Sequence, residues 1–182
     1  MIMKACVVGT FLFVVTAVCS AQNWPAPQSP AIPQADGYVV IPKAAVSPDR
    51  KVIYRAIFDS TRFPSKPDAI LPAVNALGGE LNDLAVGKVP SGQQRFVLVF
   101  HGGAVDGILD EEHYRAKYGI ANPNLPVLAK MKKMGVELFV CGQHLAAEHI
   151  DPKTLTPMVT VASDAYLVLI AYQNRGYASM WF

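Results

Sequence analysis

The sequence predicts an α/β domain, a three-layer sandwich on about five mainly parallel strands with helices on both sides. Three observations carry that prediction. Short β-branched and aromatic runs alternate with segments whose apolar residues recur at helical spacing. The run Arg95-Phe96-Val97-Leu98-Val99-Phe100 is almost wholly apolar, as strands covered on both faces are. The chain has 182 residues, one domain's worth, and 52% hydrophobic against 16% charged residues excludes a disordered chain.

The elements follow in order. Val52-Ile53-Tyr54-Arg55-Ala56-Ile57-Phe58 reads as the first strand. Ile70, Val74, Leu77, Leu81 and Leu84 then advance in steps of 4, 3, 4 and 3, one face of a helix. Pro72 falls in its first turn, where a missing N–H costs little. Gly78-Gly79 should weaken its middle by ~1 kcal/mol each against alanine. After the strand Arg95–Phe100, residues Leu125, Leu128, Met131 and Met134 mark a helix that ends at Gly135. Val136-Glu137-Leu138-Phe139-Val140 is a third strand, and Met158-Val159-Thr160-Val161 a short fourth. Ser163 or Asp164 caps a helix through Tyr172, Gly176 terminates it, and Tyr177 to Phe182 closes the sheet. Asp110-Glu111-Glu112 reads as a solvated loop or a helix start, and Tyr166, Tyr172 and Tyr177 as core and interface.

Two segments precede this domain, which spans 51–182. Residues 1–21 carry one lysine, a mostly apolar run from Ala5 to Val18, and small residues at Cys19 and Ala21, the pattern of a secretory signal peptide. The apolar run is shorter than the ~20 residues of a membrane span. Cleavage near Ala21/Gln22 would deliver the protein to the periplasm or outside the cell, with membrane contact only if the signal stays uncleaved. Residues 22–50 hold six prolines and little periodicity, and read as a weakly packed arm or linker. Tyr38-Val39-Val40-Ile41 is its one apolar run suited to docking on the body.

Composition narrows the function. Sixteen Lys and Arg against fourteen Asp and Glu give a net charge of +2 without a dense basic run, which argues against a nucleic-acid partner. Signal removal would take Cys6 and Cys19 with it, leaving Cys141 as the single thiol and no intramolecular disulfide. In parallel sheets ligands and chemistry gather outside the carboxyl ends of the strands. Two reactive side chains have that address: His101 after the second strand and Cys141 after the third.

A thiol at a strand exit can meet converging backbone N–H groups that stabilise negative charge on sulfur, and Gly142 would let backbone approach it. The alternative is a small buried hydrophobe at a strand end. His101 would take up the thiol proton or orient a ligand, or else bond a loop carbonyl as a structural histidine. Cys141, His144 and His149 form C-x2-H-x4-H, a weak metal pattern without the paired ligands of zinc sites. No cofactor is expected. Gly102-Gly103 lacks the rest of a dinucleotide fingerprint and a phosphate-loop lysine, and no serine-hydrolase elbow is present.

Four stretches taken together resemble the DsrE/DsrF-like proteins: Val99-Phe100-His101-Gly102; Asn124 ahead of a helix ending in Gly135-Val136-Glu137; Val140-Cys141-Gly142-Gln143; and Gln173-Asn174-Arg175-Gly176-Tyr177. The resemblance covers about 51–182. It implies a flavodoxin-like parallel sheet, homo-oligomers or hetero-oligomers, and in sulfur-relay members a cysteine that takes sulfur from a protein donor and passes it to an acceptor as a persulfide. Cys141 matches that sulfur acceptor, and His101, Gly142 and Gln143 match recurring positions. The expected activity is thus a sulfurtransferase-like persulfide carrier. The alternatives are a non-catalytic binding or assembly module of an oligomer and, less favoured, a Cys/His metal-binding protein.

Overall fold

Strands β1 (Tyr54–Ser60) and β2 (Gln94–Phe100) lie side by side at the centre of a five-stranded sheet, and five consecutive residues of each are buried. Apolar side chains on both faces leave these strands no place but the middle. The computed structural model describes residues 23–182. Beyond β2 lie β3 (Glu137–Cys141) and β4 (Thr160–Ala162), and β5 (Ala178–Trp181) flanks β1, giving the order β4-β3-β2-β1-β5. Every pair is parallel.

The helices are α1 (Pro72–Val86), α2 (Glu111–Tyr118), α3 (Asn124–Lys133), α4 (Gly142–Ala147) and α5 (Ala165–Gln173). The chain steps one way from β1 to β4, then returns across the sheet to place β5 beside β1. Right-handed crossovers put helices on one face during the outward steps and on the other during the return. The core divides accordingly. Leu77, Leu81, Leu128, Met131 and Leu145 from α1, α3 and α4 pack with Ala56, Phe58, Phe96 and Leu98. Ala165, Val168, Leu169 and Tyr172 of α5 pack with Ile57, Val97, Val99 and Cys141 on the opposite face. The result is the three-layer sandwich read from the sequence.

Local signals match most boundaries. Pro72 opens α1, Asp164 caps α5 by accepting the Tyr166 N–H, and Gly135 and Gly176 leave their helices at φ of +89° and +81°. Asp110-Glu111-Glu112 is a helix start: Asp110 accepts the His113 N–H and begins α2, which Gly119 ends at φ +76°.

The proline-rich segment departs from expectation. Residues 1–21, read as a signal, lie outside the described residues apart from any structural account. The arm that follows is docked, not loose. Gln28 and Tyr38 exchange backbone hydrogen bonds of 2.9 Å, and the loop between them inserts Ile32, which is fully buried, against α1. Asn82, buried in α1, accepts the N–H groups of Ala31 and Ile32 at 2.9 and 2.8 Å and donates to the carbonyls of Ile32 and Asp36. Gly78 is the other half of the fit, since a β-carbon there would overlap the Ala35 methyl. The helix gives up propensity at that glycine so that the arm can approach. Docking runs through Ile32 and Ala35, while Val40 and Ile41 stay exposed. Among the described residues no helix is long and apolar enough to cross a membrane.

Candidate functional site

The carboxyl ends of β1, β2 and β3 bring Asp59, His101 and Cys141 to one end of the sheet. Phe100 pairs with Val140, so His101 and Cys141 are the next residues along neighbouring strands. Alternation along the strands assigns Asp59, His101 and Cys141 to the face that α5 covers, the face of Ile57, Val97 and Val99.

Cys141 is 4% exposed, and its sulfur has three polar neighbours. It accepts the Ala165 N–H at 3.3 Å and the His144 N–H at 3.5 Å, and it donates to Asp164 Oδ1 at 3.7 Å. The first donor belongs to the opening turn of α5 and the second to α4, which Cys141 itself caps. Both are N–H groups that a helix leaves without internal partners. Gly142 allows this convergence, because a β-carbon there would stand 2.7 Å from the Ala162 carbonyl oxygen. Gln143 contributes through its backbone, its N–H donating to the Ser163 carbonyl at 3.2 Å, and its side chain is exposed.

His101 is engaged elsewhere. Its Nε2 lies 2.7 Å from Asp59 Oδ1, its backbone N–H donates to the Ser60 carbonyl, and its ring meets Tyr166 edge-on at 6.0 Å. No hydrogen bond joins it to Cys141 among the described residues. The two groups are linked through the first turn of α5, where Asp164 and Ala165 touch the sulfur and Tyr166 touches the imidazole.

The weak metal pattern does not assemble. Among the described residues no three His, Cys, Asp or Glu side chains form a group able to hold a metal ion. His144 turns toward a cavity of about 390 Å³ that it shares with Gly102, Gly103, Lys117 and Glu148. His149 lies past the end of α4 at φ +53°, exposed. A six-residue helix cannot bring Cys141 and both histidines to one point.

Asp59 and Asp164 are the site residues that sequence reasoning did not single out as functional. Asp59 had a readable signal: an acid within the apolar strand Ala56-Ile57-Phe58-Asp59, 7% exposed, needs a partner. Asp164 was legible as a helix cap, and only the packing of α5 on β3 aims the same carboxylate at the thiol.

The DsrE/DsrF-like family model matches residues 57–182, which include all of these side chains. No curated protein matches the chain. Among solved structures, a protein of unknown function from Methanobacterium thermoautotrophicum is similar at 18% identity with a TM-score of 0.52, covering 71% of this chain and 99% of that one. At that identity the likeness shows a common fold.

Proposed function

The chain belongs to the DsrE/DsrF-like family, and we propose that it carries sulfur as a persulfide on Cys141. Family membership supports a sulfur-relay role in general. The observation that carries the finer reading is a thiol at a strand exit with two backbone N–H donors on its sulfur. N–H groups stabilise a thiolate, which is the form that attacks sulfur.

In the loading step the thiol leaves its hydrogen bond to Asp164 and gives its proton to solvent, and the Cys141 thiolate attacks the outer sulfur of a sulfane donor such as thiosulfate. A sulfur–sulfur bond forms on Cys141, the donor's sulfur–sulfur bond breaks, and its electron pair leaves with sulfite. No external oxidant is required. In unloading, an acceptor thiolate attacks the outer sulfur of the persulfide and Cys141 leaves as thiolate. The Ala165 and His144 N–H groups serve both steps, because the charge returns to the same sulfur. Asp59 and His101 hold the neighbouring strand exit and, with Tyr166, the opening turn of α5.

Intact mass after thiosulfate treatment tests this reading. One sulfur atom should be gained, lost again with reductant and never gained by Cys141→Ser. Absence of the adduct from the folded wild-type protein overturns the carrier role and leaves a binding or assembly module.

The outer face of α5 supports self-association. Tyr166, Leu167 and Ile170 are 62%, 57% and 53% exposed, a row of large apolar side chains on a helix whose other face is already buried. Sedimentation should show an oligomer that Ile170→Lys dissociates. Export rests on the pattern of residues 1–21, and N-terminal sequencing of native protein should begin near Gln22.

A further inference from the structure

A second cavity lies on the sheet face opposite Cys141, at the open edge where β5 runs beyond the cover of α1. Its volume is about 330 Å³, and its walls are mostly apolar. Phe58, Phe96 and Phe182 form one side, with Phe58 stacked on Phe182 at 5.8 Å and edge-on to Phe96 at 6.2 Å. The space exists because three small residues meet there: Ala56 of β1, Ala76 of α1 and Ala178 of β5. Sites for small molecules have this size and lining.

One end of the cavity is acidic. Glu80 of α1 lines it, half-buried, and together with Tyr54 also lines an adjoining space of about 200 Å³ that contains Asp83, one helical turn on. Neither carboxylate has an ion-pair partner among the described residues. Burial raises the affinity of both carboxyls for protons, and for Glu80 the nearby Asp83 charge adds to it. A buried carboxylate in apolar walls is relieved by a cation placed beside it. The one cation of the lining is Arg55, an exposed residue that strand alternation assigns to the face away from Tyr54, Ala56 and Phe58. Apolar depth with a carboxylate end selects an organic ammonium, its apolar or aromatic body among the phenylalanines and its head at Glu80.

We propose that this cavity is a binding site for small aromatic or aliphatic amines, built by Ala56, Ala76, Ala178 and the three phenylalanines, with Glu80 receiving the ammonium group. It is independent of the chemistry at Cys141, being on the other face of the sheet.

A matched pair of probes tests it on the protein from Gln22 to Phe182: 4-phenylbutylammonium and 4-phenylbutyrate, which share a skeleton and differ in charge. Calorimetry gives the affinities and methyl NMR the location. The amine should bind saturably, at least ~10-fold more tightly than the carboxylate, as expected of a charge-assisted contact. Shifts should be confined to the methyls of Ala56, Ala76, Ala178 and Met180. Glu80→Gln should remove most of the preference, and Ala76→Leu should abolish binding of both probes with the thermal midpoint retained. Ala178→Leu, at the exposed edge strand, fills the same space if Ala76→Leu fails to fold. Equal affinities or a preference for the carboxylate would overturn the proposal, as would no saturable binding or binding that survives in both filled variants.

Discussion

The sulfur of Cys141 and Oδ1 of Asp164 are 3.7 Å apart, and that same oxygen accepts the Tyr166 N–H at 3.1 Å. One carboxylate therefore caps α5 and accepts a hydrogen bond from the thiol. The two duties separate by substitution, because asparagine caps a helix as well as aspartate does but carries no charge. Asp164→Asn should leave stability within about 0.5 kcal/mol of wild type and, by removing negative charge beside the sulfur, speed alkylation of Cys141 several-fold at neutral pH. Asp164→Ala loses the cap as well and should cost about 1 kcal/mol. Urea unfolding and alkylation rates on the two variants check both halves.

The Asp59–His101 pair is nearly closed to solvent, with side chains 10% and 18% exposed and a 2.7 Å contact. His101→Ala strands the buried Asp59 carboxylate and should destabilise the fold by about 1–3 kcal/mol. Asp59→Asn keeps a hydrogen-bonding group there and should cost less. If His101 served only to activate Cys141, urea midpoints would not move while alkylation slowed.

The docked arm depends on Asn82. Asn82→Ala removes four hydrogen bonds to the segment Ala31–Asp36 and leaves its backbone groups unpaired. A loss on the order of 2 kcal/mol or more is expected, with new proteolytic cleavage between residues 28 and 38. Unchanged protease resistance would mean that Ile32 alone holds the arm.

High pH should weaken the fold through its tyrosines. Burial first, and then the 2.8 Å hydrogen bond to Glu137, hold the Tyr172 hydroxyl well above the usual tyrosine range. A group whose folded pKa is raised contributes stability that is full below its unfolded value, near 10 for tyrosine, and falls as pH rises beyond it. Tyr118, partly buried and bonded to Asp106, acts in the same direction. Urea midpoints should drop between pH 9 and pH 11, and Tyr172→Phe should flatten part of that drop.

Strand and helix order were legible because the apolar runs are continuous where a strand is covered twice and periodic where a helix is covered once. Asn124 and Asn82 mark what was not legible. Asn124 was noted only as a residue ahead of a helix, yet its buried side chain accepts the Leu71 N–H at 2.7 Å and fixes the entry to α1. Asn82 decides the fate of a proline-rich segment that composition alone assigns to a linker. Both act through partners 46 or more residues away, and no local pattern encodes such pairings. At the site, Cys141, Gly142 and His101 were identifiable from their strand-exit positions. The placing of His101 on Asp59 and of Asp164 on the sulfur required the sheet register and the return crossover through α5.

Alkylation of Cys141 in the native protein tests the carrier reading most directly, since sulfur transfer needs a nucleophilic thiolate in the folded state. With iodoacetamide at pH 7, and adduct formation followed by intact mass, the folded protein should react faster than an unstructured cysteine peptide whose pKa is ~8.5. In the chain from Gln22 on, Cys141→Ser should show no adduct. A Cys141 that resists the reagent until denaturant is added would contradict the account and make this residue a buried structural cysteine at the end of β3.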